Sequence, residues 1–217
     1  MKRRTMPIVA ALAATTALLL TACSGSSDSS DKAEGADQNT NSISKSPKAS
    51  PTSPTSSAKV PDFGLPADVK VEIESVTTGD KTKDQVLKEQ AEALMARQRI
   101  YVDLDPNSRY LTRYYDGEAR AFYASEIKKA KTEGRTITGL YRYYDRKVQE
   151  NDDDRAVVTY CEDRSKAFAK DIETGKARKT KPSPKDFIKN TATLRKTEHG
   201  TWLVQSFRGE SSARECQ

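Results

Sequence analysis

The chain has 217 residues, of which 31% are charged, 35% hydrophobic and 7% aromatic, with 37 Lys and Arg against 31 Asp and Glu. Half of the resulting excess of +6 comes from Lys2, Arg3 and Arg4, so the rest of the chain is only mildly basic and its charges are mixed in sign. That balance argues against a nucleic-acid partner. One histidine, three cysteines and no CxxC spacing leave little material for a metal centre or a dithiol redox site, and neither a metal nor a cofactor is expected.

Residues 1–22 open with a cationic stretch and continue as an apolar run from Pro7 to Leu20. Such a run suits a cleaved export signal and is short for a spanning helix. Leu20-Thr21-Ala22-Cys23 resembles the lipobox of bacterial lipoproteins. The resemblance implies cleavage before Cys23, a diacylglycerol on its sulfur and a further acyl chain, such as palmitate, on the new N-terminus. Two or more chains hold a protein stably, at about 0.8 kcal/mol per buried methylene. The expected location is therefore the extracytoplasmic face of the cell membrane, lipid-anchored without a spanning segment. An ordinary secretory signal with a chance cysteine is the alternative.

Residues 23–61 are rich in Ser, Thr, Asp, Lys, Ala and Pro, with Ile43 almost alone among large apolar side chains in the Ser/Pro tract. A segment of this kind cannot bury enough surface to offset its chain entropy, and a disordered tether is expected. As a flexible coil it spans on the order of 35 Å.

Residues 62–217 are long enough for one domain with its own core. "DVKVEIES" alternates Val69, Val71 and Ile73, which predicts a strand. "KTKDQVLKEQAEALMARQRIYVDL" switches to helical spacing, with Leu87, Ala91, Leu94 and Tyr101 on one face and Thr82–Gln85 as a capping box. A short helical turn around Tyr110 to Tyr115 follows. Asp116 then caps a second long helix with the stripe Ala119, Tyr123, Ile127 and Ala130, closed at Gly134.

After Gly134 the period becomes two. "TITGLYRYYDRKVQE", a turn at "NDDD", "RAVVTYCED" and a separate strand "SKAFAKDIETG" are predicted. A basic connection carrying Lys176, Arg178, Lys179, Lys181 and Lys185 leads to a hairpin that closes at His199-Gly200. Helices before antiparallel strands make an α+β order. If Cys23 takes lipid, Cys161 and Cys216 remain, and two thiols in an oxidising compartment pair as a disulfide. A redox or nucleophilic thiol is the alternative reading.

"YYDGEARAFYASEIKKAKTEGRTITGLYRYYDRKV" and the closing Trp-x-Val strand resemble the NTF2-like fold, in which N-terminal helices pack on a bent antiparallel sheet to form a cone. "ITGLYRYY", "TYCEDRSKAF", "ETGK", "TKPSP" and "TWLV" also resemble a set of actinobacterial lipoproteins of unassigned function. The resemblance spans about Val69 to Cys216. It implies membrane display of a cone-shaped domain and no particular reaction, because such domains serve as enzymes and as binders alike.

His199 lies in a turn without a companion and is not expected to be catalytic. Tyr141, Tyr143 and Asp145 share a strand face by alternation, with Tyr160 on the neighbouring strand. These four and Trp202 are the candidates for a ligand pocket at the cone mouth, against the simpler reading of a packed sheet face. Glu162 and Asp163 should point to opposite faces and pair with Arg155 or Arg164. The leading expectation is a non-catalytic binding or interaction module whose partner is an envelope protein or ligand, with dimerisation through the sheet left open. The alternatives are an accessory subunit of an envelope complex and a cone-pocket isomerase or hydratase acting on a small organic ligand. A deep cavity with convergent ionisable groups would favour the enzyme, and a cavity plugged by side chains would leave only surface functions.

Overall fold

The computed structural model describes residues 58–217; the expected export signal, Cys23 and most of the expected tether lie outside them. Within the described part, Ala58 and Val60 already pack on the core, Ala58 N–H donates to Ile73 O at 2.8 Å, and Phe63 is buried. The domain thus takes in residues ahead of the boundary expected at residue 62. Its buried hydrophobic residues run from Phe63 to Cys216.

The first strand, β1 (Val69–Ile73), precedes three helices: α1 (Lys81–Asp103), α2 (Arg109–Tyr114) and α3 (Gly117–Thr132). Five further strands follow: β2 (Arg135–Asn151), β3 (Arg155–Asp171), β4 (Ala177–Arg178), β5 (Phe187–Lys196) and β6 (Trp202–Ser211). They form one open six-stranded sheet in the order β1-β2-β3-β5-β6, with β4 paired to the end of β3. All pairings are antiparallel except β1, which runs parallel to β2 from Val69↔Gly139 to Ile73↔Tyr143. The sheet is therefore mixed rather than wholly antiparallel. The parallel arrangement needs a long crossover, which the helices supply.

Local chemistry sets the helix limits. Asp80, not Thr82, caps α1: its carboxylate accepts from the N–H groups of Thr82 and Lys83, each at 2.9 Å. Asp84 accepts instead from the N–H and hydroxyl of Thr78, both at 2.7 Å, which ties the entry loop to the first turn. α1 ends where Leu104 adopts φ 52° and returns its N–H to Ile100 O. Asp116 caps α3, and Ala119, Tyr123, Ile127 and Ala130 are all buried, as their spacing requires.

β2 and β3 are longer than their sequences suggest. The segment read as a separate strand from Ser165 is the continuation of β3, which runs unbroken over seventeen residues against β2. The bend in this pair comes from register shifts at Leu140/Arg142, where β3 carries the extra residue, and at Tyr144/Lys147 and Val148/Glu150, where β2 does. At Gly139, φ is 97° and a Cβ would sit 2.1 Å from Lys166 O, so only glycine lets the two backbones approach there. The bent sheet wraps around α1 and α3 and leaves a hollow between them at one end.

Cys161 on β3 is bonded to Cys216, with 5.4 Å between the Cα atoms. Both are buried, and the bridge pins the C-terminus to the sheet face away from the helices. Tyr144, also on that face, donates its hydroxyl proton to Cys216 O.

Candidate functional site

The hollow is a cavity of about 550 Å³, open to solvent. The second half of α1 contributes Arg97, Gln98 and Tyr101, and α3 contributes Phe122, Tyr123 and Glu126. The sheet closes it with the starts of β2, the C-terminal half of β3 and parts of β5 and β6, including Tyr141, Glu162, Phe168, Asn190 and Phe207. The walls are aromatic. Tyr123 stacks on Phe207 with centroids 5.1 Å apart and planes 14° apart, and Phe122 meets Phe207 edge-on at 5.1 Å.

The floor is polar. Arg97 pairs with Glu162 at 2.5 Å, with side-chain exposures of only 11% and 4%. The same guanidinium donates to the Tyr143 hydroxyl, and Tyr143 reaches Glu162 at 3.4 Å. Gln98, fully buried, completes the network: with its amide oxygen turned inward it accepts from Tyr143 Oη at 2.7 Å and from Arg97 Nε at 3.2 Å. Desolvation opposes the Arg97 charge, but the Glu162 carboxylate outweighs it and holds the pKa well above the usual arginine value. Burial pushes the Tyr141 phenol up to about 12, and it raises Tyr143, Tyr123 and Tyr160 as well. These phenols are protonated at neutral pH and act as neutral donors. Cation and carboxylate cancel, so the floor presents hydrogen-bonding groups with no net charge.

Asn190 stands on the wall opposite α1. It is 4% exposed, and its amide nitrogen has one weak contact, to Ile188 O at 3.4 Å. Gly209 across from it leaves the space that the amide oxygen uses, since a Cβ there would lie 3.2 Å from Oδ1. An under-satisfied buried amide in a cavity wall is a natural anchor for a ligand's polar group.

The candidates read from sequence divide. Tyr141 lines the cavity and Tyr143 lies under its floor. Tyr160 sits deeper, edge-on to Tyr143 at 6.2 Å, and borders a small interior void with Gln90 and Tyr115 rather than the cavity. Asp145 is not on their face. It has φ 51° at a β2 bulge, its side chain is half exposed, and it pairs with Lys147 at 2.6 Å. The bulge reverses the alternation and turns Arg146 inward in its place. Arg146 bonds Gln90 and Glu74 O at 2.9 Å, and burial drives its pKa down to about 10.

Trp202 is also elsewhere, packed in the core with its backbone N–H donating to the Glu89 carboxylate, its indole N–H without a partner and the Lys196 ammonium over its ring at 5.7 Å. Glu162 and Asp163 do take opposite faces, but their partners are Arg97 and Arg142 rather than Arg155 or Arg164. Arg97, Gln98, Glu162 and Asn190 were missed as a site. A signal existed: Arg97 and Gln98 fall between Leu94 and Tyr101 at spacings of three and four, on the core-facing stripe. Glu162 alternates with Tyr160 on the inner face of β3. Polar residues at positions that a fold buries mark a built network.

No family model matches the chain, and no curated protein matches it. Solved structures do. A ketosteroid isomerase-like protein from Erwinia carotovora atroseptica is 15% identical over 57% of this chain and 93% of its own, with a TM-score of 0.37. The intermembrane space region of chloroplast protein ARC6 is 17% identical over 56% and 95%, with a TM-score of 0.37. The protein Aln2 from a Streptomyces species is 12% identical over 57% and 88%, with a TM-score of 0.39. Likenesses this distant carry no activity to this chain.

Proposed function

We propose that the protein is a lipid-anchored, extracytoplasmic binding module whose NTF2-like domain holds a small, uncharged, ring-bearing molecule. The observation that carries this reading is the charge-cancelled floor of an open aromatic cavity. Aromatic walls favour a flat apolar body. A floor of Arg97, Glu162 and Gln98, braced from beneath by Tyr143, favours polar groups that exchange hydrogen bonds without bringing a charge, because Arg97 and Glu162 already neutralise each other there. Proton abstraction is less well served. A general base needs a carboxylate free to reach a substrate proton, and both Glu162 oxygens already accept from Arg97. An anchor at Cys23 would keep such a module at the membrane.

Two measurements test the proposal. Thermal-shift titration of the full chain with neutral ring compounds should raise the melting temperature, and Asn190→Leu should cut the effect. Ligand recovered unchanged after long incubation agrees with binding, whereas a chemically altered ligand would favour the isomerase or hydratase alternative. Separately, Cys23→Ala should abolish incorporation of a clickable palmitate analogue in cells and release the protein from membranes.

A further inference from the structure

Charge is unevenly placed on the domain. Residues 126–135 and 164–187 hold twelve Lys and Arg against five Asp and Glu, while the whole chain holds 37 against 31. The remainder of the chain is therefore slightly acidic. The fold brings these two stretches together: Ile172 N–H donates to Gly134 O at 2.9 Å just past the end of α3, and Arg135 faces Asp171 across the β2–β3 ladder. Arg178 on β4 pairs with Asp171, and Arg135 with Glu133. Lys129, Lys176 and Lys179 are exposed, and no ion pair engages them among the described residues.

This basic end is also the cavity's rim. Phe122 and Glu126 line the cavity from α3, and Lys129 continues the same helical stripe one turn on. Thr136, Ile137 and Phe168 line it from the sheet ends that carry the basic turn. The two exposed large hydrophobic side chains among the described residues, Phe122 and Ile172, each 48% exposed, both lie here. Ile172 is held beside Gly134, just past the C-terminus of α3, and the helical rise from Phe122 to that point is about 18 Å. Apolar side chains projecting from a basic surface are how a soluble domain seats itself in the headgroup layer of an anionic bilayer.

We propose that this rim docks on an anionic lipid surface, with Phe122 and Ile172 entering the headgroup layer and the cavity mouth turned toward the bilayer. The anchor reading strengthens it by holding the domain within a tether's length of the membrane, but the contact itself needs no acyl chain. The ligand of the cavity would then arrive from the membrane side.

The test uses the unlipidated chain Ser24–Gln217, which contains every described core residue, and vesicles of phosphatidylcholine with or without about one-third phosphatidylglycerol to give the negative surface that attracts basic segments. Cosedimentation should require phosphatidylglycerol and weaken with added salt. Each lysine near the surface is worth roughly fivefold in partitioning, so Lys129→Glu, Lys176→Glu and Lys179→Glu together should reduce it by at least roughly a hundredfold. The Phe122→Ser, Ile172→Ser pair should weaken it further at high salt. As a control of equal charge change, Lys81, Lys83 and Lys88 on the far end of α1 are changed to Glu. Equal loss in the control would reduce the effect to net charge and overturn the docking surface, as would binding indifferent to phosphatidylglycerol. Failure of palmitate labelling at Cys23 would leave this result standing.

Discussion

Removing one member of the Arg97–Glu162 pair should cost more than removing both. Glu162→Gln keeps the shape and a hydrogen-bond acceptor but leaves the Arg97 cation without a counter-charge, 11% exposed against Tyr143. Breaking a buried pair from one side costs about 3–5 kcal/mol, and the retained amide places this variant near about 3 kcal/mol. A domain of this size loses roughly 2–4 °C per kcal/mol, so the melting temperature should fall by about 10 °C. Replacing both, as Arg97→Met with Glu162→Leu, removes the charge and its partner together and should cost under about 2 kcal/mol. Urea denaturation of the oxidised chain, Arg97→Met, Glu162→Leu and the double variant, read as a double-mutant cycle, measures the coupling directly. Additive losses would refute the reasoning: Arg97 and Glu162 would then be solvated independently, and the cavity floor would not be charge-cancelled.

The Cys161–Cys216 bridge closes a span of 55 residues, for which the chain-entropy model predicts about 4 kcal/mol; denaturation with and without reductant should show a loss of that order. Gly139→Ala should cost at least about 3 kcal/mol, because the new Cβ meets Lys166 O and φ stays positive, whereas Gly200→Ala, with open space around it, should cost about 1 kcal/mol. The Arg195 guanidinium, bonded at 2.6 Å, and then the Gly117 N–H hold the Asp116 carboxyl below its ordinary 3.8. A depressed folded pKa stabilises fully above 3.8 and loses that contribution as pH falls below it. Asp116→Asn should therefore lower stability at pH 7 and leave it nearly unchanged at pH 2, and equal losses at both pH values would show that the carboxylate's charge is not what matters.

Element type was legible in the sequence because it depends on neighbours in the chain. The stripe Ala119-Tyr123-Ile127-Ala130, the cap at Asp116 and the turn at His199-Gly200 each follow from spacing and from side chains acting on their own backbone, and the structure has them in place. The expectation of an export signal ending at Cys23 likewise rests on local composition. What depends on register was not legible. Alternation placed Asp145 beside Tyr143, but the bulges in β2 shift its pairing and send Asp145 outward and Arg146 in, since one extra residue reverses every face beyond it. The partner of Glu162 was beyond local reasoning for the same reason. Arg97 is 65 positions away, and only the packing of α1 into the bent sheet brings the two charges together in a place where neither could stay buried alone.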